Sequence, residues 1–563
     1  MTISFVIPPA LALILGGLLL PLLRGPLRTI GLLGFPLVTL YLVWQVPDGV
    51  ALRAPFLGYE LALVKGDALS RLFATVFALM AFVGALFALN QKRTVELAAA
   101  FCYAGSAVGV VFAGDLISVF IFWEVMAIAS TLVVWSAGPS ARGAGQRYAV
   151  IHLLGGVVLM AGIAGEIAAT GSTVFDRMSL DTLPRWLILA GFLINAGAPP
   201  LSAWLPDAYP ESSWSGMVFL SAFTTKTAVF VLLRGFPGTE LLIYVGLFMV
   251  FYGIVYAILE NDMRRILAYS IVNQVGFMVT GIGIGTEMAL NGAAAHAFTH
   301  IIYKALLLMS AGSVLYMTGK RKCTDLGGLF RTMPLTTVCG IVGALSISSF
   351  PLTSGFVSKS MISEAAGMQH LAVVWYLLAA ASAGVFLHAG IKFPWFVFFQ
   401  KDSGLRPDDP PWNMRIAMVL FSILCIGIGV LPGPLYALLP YKVDYVPYTA
   451  SHVVFYLQLL LFSGLAFFLM LGWLKRTLTI TLDIDWFYRK LGVDVMRRLD
   501  VVAESAWTCI VGLVARTARR GRANVERYNG SAGILARTWS TGAMTFWATL
   551  VLAAYIVLAY LRP

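Results

Sequence analysis

Apolar stretches of about twenty residues, the length a helix needs to cross a membrane, recur along this chain. They lie near 3–22, 28–46, 69–90, 96–113, 115–136, 147–170, 186–205, 212–234, 241–259, 264–285, 289–317, 334–356, 370–398, 413–433, 452–474 and 541–560. Open strands cannot satisfy their backbone groups in lipid, and the alternation of barrel strands is missing here. The pattern predicts an all-α polytopic membrane protein of about 16 transmembrane helices. Residues 475–540 read differently. There Arg489, Lys490, Arg497, Arg498, Arg516, Arg519, Arg520, Arg522 and Arg527 are interleaved with Trp486, Phe487, Leu491, Val495, Trp507, Ile510 and Leu513. This is an amphipathic helix too polar to span.

Two spans are interrupted. INAGAPPLSAWLPDAYPESSW carries Pro199 and Pro200, and SISSFPLTSGFVSKSMI carries Pro351 and Gly355. Proline removes a helical hydrogen bond, and irregular backbone is tolerated at membrane depth where it is buried in protein or lines a polar cavity. Both breaks contain Pro-Leu-Ser/Thr, at Pro200–Ser202 and Pro351–Thr353, five spans apart. An odd spacing inverts the topology, and broken helices at matching places in inverted halves point to a transport path.

Composition sharpens the picture. Apolar residues make up 59% of the 563 and charged residues 12%, with a mean hydropathy of +0.85. That excludes a soluble enzyme, a disordered chain and a fibrous repeat. The net charge of +12 fits basic cytoplasmic loops better than nucleic-acid binding. With the N-terminus outside, the cytoplasmic side holds 27 of the 39 Lys and Arg and the other side 8. This predicts a multi-pass protein of the inner (cytoplasmic) membrane with the 475–540 helix on the cytoplasmic face. MTISFVIPPALALILGG lacks the basic start of a signal peptide and reads as the first span. The five cysteines are far apart without a C-x-x-C pair, so no metal and no cofactor is expected.

The four remaining basic residues are Lys226, Lys304, Lys359 and Lys392, in the apolar part of the chain. A lysine at mid-bilayer costs about 2.5–3.5 kcal/mol on insertion scales, so each should face a partner or a hydrated path. Glu124 is the clearest buried acid, and His296, His300 and Lys304 share one face of a helix in HAFTHIIYK. Such groups suit a stepwise proton relay, with histidine linking lysines. His152 and His388 are further candidates, balanced against ordinary core hydrogen bonding. Lys392 is another, balanced against snorkelling to the interface.

FWE in span five, PPLSAWLPDA in span seven, FTTKTAVF in span eight, NDMRRILAYSIVNQVGF in span ten, HAFTHIIYKALLLMSAG in span eleven and GFVSKSMI in span twelve occur in this order. The chain over 65–435 thereby resembles the proton-translocating antiporter-like subunits of respiratory complex I, membrane-bound hydrogenases and Mrp Na+/H+ antiporters, with the Mrp D-type subunit nearest in flavour. The resemblance implies a 14-helix core with two inverted five-helix repeats. The domains become 1–95 (spans one to three), 96–240 (first repeat), 241–398 (second repeat), 399–474 (spans fourteen and fifteen), 475–540 (lateral helix) and 541–563 (final span). It implies a relay of Glu124, Lys226, His296, His300, Lys304 and Lys359. The partners implied are other membrane subunits of a hetero-oligomeric complex, the lipid bilayer, H+ and either Na+ or K+. The chain would be a transporter subunit rather than a catalyst on its own.

There are two departures. Counting back from Trp204, the family's span-seven lysine falls on Asn195. Either Lys226 pairs with Glu124, or Asn195 holds a water there, or this half no longer pumps. The lateral helix and last span are similar instead to the distal antiporter-like subunit of complex I and to the Mrp A-type subunit. Mrp-type cation/proton antiport is the leading expectation. A proton-pumping subunit of a redox-driven complex and a non-pumping scaffold are the alternatives.

Overall fold

The computed structural model describes residues 6–474 and 482–561. Residues 3–5 of the first expected span, 475–481 of the lateral segment and Arg562 lie outside the described residues. The chain divides into two compact units, Met1–Asp485 and Trp486–Pro563.

The first unit opens with α1 (Pro9–Leu19) and α2 (Gly25–Val43). A hairpin of β1 (Gly49–Phe56) and β2 (Tyr59–Gly66) follows, running from Gly49 opposite Gly66 to Phe56 opposite Tyr59. Leu57 and Gly58 both have positive φ, as a two-residue hairpin turn requires. Hydropathy did not mark this hairpin, for a visible reason. Irregular register near Val50 and Leu52 and a largely exposed β1 erase the period-two pattern.

The helices continue as α3 (Ala68–Phe87), α4 (Thr94–Phe112), α5 (Leu116–Trp135), α6 (Arg142–Thr170) and α7 (Leu183–Ala196). Next come α8 (Thr224–Gly235), α9 (Leu241–Leu259), α10 (Met263–Ile284), α11 (Glu287–Thr318), α12 (Pro334–Ile347) and α13 (Ser354–Met368). The unit closes with α14 (Ala372–Val385), α15 (Trp412–Val430) and α16 (Ala450–Leu469). Helix α14 is continued by π-helical turns at Phe386–Lys392 and Trp395–Phe399. Tyr252 and Tyr269 each donate to Asp483 Oδ2 at 2.7 Å, docking residues 482–485 on α9 and α10.

Among the described residues, 14 helices are long and apolar enough to cross a membrane. One is the Phe487–Ala536 stretch, which the sequence pattern read as too polar to span but which contains a window of sufficient apolarity; the others, with the shorter Pro9–Leu22, Leu183–Ala196 and Pro334–Ile347, account for the expected segments. The twelfth span, expected to end at 356, instead resumes after a break as α13 and runs to Met368. In the second unit, α17 (Gly492–Asn529) and α18 (Thr541–Tyr560) bury no residue.

The α5–α6 and α10–α11 pairs are built alike. Leu116 N–H donates to the Thr173 carbonyl (2.8 Å) and Phe175 N–H to that of Gly114 (3.1 Å). Met263 N–H donates to Arg321 (2.9 Å) and Cys323 N–H to Asn261 (2.8 Å) in the same pattern. Asp115 caps α5 by accepting from Ser118 N–H, and Asp262 caps α10 by accepting from Arg264 N–H. Helix α6 ends on Gly171 at φ 69° and α11 on Gly319 at φ 68°, the left-handed conformation glycine adopts freely. The preceding hydroxyls, Thr170 and Thr318, donate back to the carbonyls of Glu166 and Val314.

Candidate functional site

The buried lysines lie beside places where a helix is interrupted or a hydroxyl is at hand. Between the turn Gly216–Leu220 and α8 the chain leaves the helical path, so the Ser221 carbonyl has no ladder partner. Lys226 Nζ donates to that carbonyl at 2.6 Å and to Thr225 Oγ1 at 3.0 Å. The chain breaks again over Ser348–Thr353, and Lys359 Nζ on α13 donates to the freed Ile347 carbonyl at 3.2 Å. It also sits 4.9 Å from the centroid of the Phe277 ring, within cation–π range. Lys304, midway along α11, donates to Ser270 Oγ at 2.9 Å and to the Leu267 carbonyl at 3.3 Å. All three are fully buried. The ion pairs among the described residues lie elsewhere, for example Arg147–Asp207, Arg234–Asp67 and Arg321–Asp262.

Histidines fill the space between. His296 Nδ1 lies 3.1 Å from Ser358 Oγ and its Nε2 3.1 Å from Gln274 Oε1. Tyr303 O–H donates to the same Gln274 oxygen at 3.1 Å, and Thr299 Oγ1 is 2.8 Å from Ser358 Oγ. The His300 ring is 6.2 Å from His296 and 5.2 Å from Tyr303, with no partner on either nitrogen. Helices α10, α11 and α13 thus join His296, His300, Lys304 and Lys359 in one polar cluster. Helix α8, carrying Lys226, packs on α10 and α11.

The other sequence candidates make no hydrogen bond to it. Glu124 on α5 lies against Gly156 of α6, and its Oε1 has no partner. It does not pair with Lys226, whose amine bonds Ser221 and Thr225 instead. His152 has Nδ1 at 2.9 Å from the Tyr148 carbonyl and an unpartnered Nε2; its ring stacks on Tyr148 at 3.9 Å. Asn195 on α7 is buried with neither amide atom bonded. His388 has Nδ1 at 2.8 Å from the Gly384 carbonyl. Lys392 does not snorkel. Its amine is buried against the carbonyls of Ala257 (3.1 Å), Ile258 (2.5 Å) and Glu260 (2.5 Å) at the end of α9.

Pro199, Pro200 and Pro351 lie within the two breaks. Gly355, expected to break its helix, sits in the first turn of α13 instead. A Cβ there would stand 1.8 Å from the Ser346 carbonyl, so glycine serves close backbone approach rather than interruption. The sequence reading missed Ser270, Gln274, Tyr303 and Ser358. Ser270 and Gln274 are four apart on α10, a spacing that places them on one face and could have flagged them. It also missed Glu96, fully buried on α4, whose Oε1 accepts from Ser213 and Ser215 at 2.6 Å each.

Residues 113–387 match the family model described as NADH:quinone oxidoreductase/Mrp antiporter, TM. The chain is 30% identical over 399 residues to the A/B subunit of a probable K(+)/H(+) antiporter of Rhizobium meliloti (strain 1021), covering 64% of this chain and 40% of that protein. This chain therefore spans less than half the length of that relative. It is 29% identical over 372 residues to the D subunit of the Na(+)/H(+) antiporter of Alkalihalophilus pseudofirmus, covering 61% of this chain and 71% of the relative. Its fold is similar to a chain of the membrane-bound sulfane sulfur reductase, an archaeal respiratory membrane complex. There the TM-score is 0.71 at 24% identity, over 98% of this chain and 99% of the other.

Proposed function

We propose that the chain is one of the antiporter-like membrane subunits shared by Mrp antiporters and NADH:quinone oxidoreductases, and that it moves protons within a multisubunit Mrp-type monovalent cation/proton antiporter. One observation carries this reading. Lys226, Lys304 and Lys359 are buried on adjoining helices, each amine held by neutral carbonyls, hydroxyls or a ring, with His296 and His300 interposed. A fixed salt bridge would pin each charge. Neutral acceptors leave the proton free to pass on. In a weakly screening interior, charge arriving at one amine repels charge at the next, so occupancy alternates along the line. Histidine exchanges protons readily near neutral pH and links the amines. The complex would sit in the inner (cytoplasmic) membrane with the basic loops on the cytoplasmic side.

A second reading is a proton-moving subunit of a redox-driven complex. It is favoured by the fold likeness over 98% of the chain, C-terminal extension included. In that setting the chain would form part of a translocase while partner chains supply the redox centres. Both readings require the same relay. Lys304→Ala and Lys359→Ala should each abolish proton movement by the reconstituted complex while leaving assembly intact. Wild-type proton flux in either variant would refute the relay.

A further inference from the structure

Helices α6 and α11 can be matched residue by residue. Each ends on a threonine–glycine pair with the same back-bonding hydroxyl, and each runs unbroken before it. Counting back from Gly171 and Gly319, Leu159 matches Leu307, Gly156 matches Lys304, and His152 matches His300. In the second half the amine stands on α11 and reaches across to Ser270 of α10. In the first half α6 offers no side chain at the matching place. A Cβ on Gly156 would stand 1.9 Å from Glu124 Oε1, so the carboxyl group of α5 fills the space a side chain there would take.

Three groups around this stretch of α6 lack partners. Glu124 Oε1 has none. His152 Nε2, buried one turn (about 5.4 Å) along the same face, has none. Asn195 Oδ1, which would lie 3.7 Å from a Cβ on Gly155, has none either. Leaving buried polar atoms without partners is costly, so three together on one stretch point to exchange rather than packing. The tautomer follows from the bonding. A carbonyl can only accept, so the hydrogen on His152 Nδ1 is donated to Tyr148 and Nε2 presents a lone pair.

We infer that Glu124 and His152 are the proton-exchanging pair of the first half, with Glu124 Oε1 and His152 Nε2 as its ends and the Asn195 amide as a neutral neighbour. The inference rests on the proton-transfer reading above. In the step, an O–H bond of the Glu124 carboxyl breaks and an N–H bond forms at His152 Nε2. This leaves a carboxylate and an imidazolium whose Nδ1 hydrogen still bonds Tyr148.

The test uses the intact complex in proteoliposomes, with proton flux followed by a pH-sensitive dye. His152→Phe keeps a ring beside Tyr148 and Trp204 but removes Nε2. It should lower flux about tenfold or more at unchanged complex yield, whereas a packing role alone predicts little change. His152→Gln should show the same loss, and serves if the aromatic variant lowers the yield. Combined with Glu124→Gln, the loss should not deepen, because either change already removes the exchange. Flux above half of wild type in both histidine variants would overturn the pair, as would losses that multiply in the double variant. Lys304→Ala separates the two levels. If it is inactive while His152→Phe is active, only this inference fails; if both are active, the relay itself fails.

Discussion

The α4–α8 and α9–α14 halves share their joints and differ in their chemistry. Turns and helix ends agree between α5–α6 and α10–α11, and an aspartate caps α5 and α10 alike. The charges do not. The second half puts an amine on α11 against a hydroxyl on α10, while the first puts a carboxyl on α5 against a glycine on α6. In the second half Gln274 and Ser358 hold His296, while His300 keeps both ring nitrogens unbonded. The first leaves Glu124, His152 and Asn195 with unbonded atoms. Backbone joints need only a cap, a glycine and a threonine, so they tolerate any side chain facing the interior. The interior chemistry can change without disturbing the frame.

Mutations can break that comparison in graded ways. The largest effect belongs to Lys304→Ala, which should reduce proton flux about a hundredfold or more by removing the second half's amine. Its first-half counterpart, Gly156→Ala, should displace the Glu124 carboxyl and reduce flux about tenfold, read in the same dye assay. Asn195→Lys should change flux by about threefold in either direction if the first half conducts, since it sets an ammonium beside Gly155. An unchanged rate would favour the scaffold alternative. Lys392→Met should cost about 1–3 kcal/mol of stability by orphaning the carbonyls at the end of α9, while flux stays within about twofold of wild type. Thermal unfolding of the detergent-solubilised chain measures it. Smallest, Asp115→Ala should cost about 1 kcal/mol as a lost helix cap, and Asp262→Ala should cost more, because it also breaks the ion pair with Arg321.

Spans, breaks and buried lysines were legible because each violates or fulfils a strong rule: apolar length, proline in a helix, charge in oil. The partners of the lysines were not. Helices buried on every side carry no amphipathic stripe, so nothing in the pattern says that Ser270 rather than Leu267 or Tyr269 turns its side chain to Lys304. The Pro-Leu-Ser/Thr strings hinted at kinship between halves. The better signal, Thr-Gly at the ends of α6 and α11 with a histidine in register, is built from common residues and emerges only when the helix ends are known. Helix α13 was blurred because SKSMISEAAGM is too polar to extend an apolar run, although its Lys359 faces the cluster.

The setting of Lys392 carries a consequence in the counting of hydrogens. Its nitrogen serves three carbonyls, and only an ammonium carries three hydrogens to give. Lys226 and Lys304 each serve two acceptors, which an uncharged amine can still supply while turning its lone pair toward an incoming hydrogen. By that arithmetic Lys226 and Lys304 can give up a hydrogen and take it back without letting go of their neighbours. Lys392 would have to drop one, which makes it a clasp on α9 rather than a stepping stone.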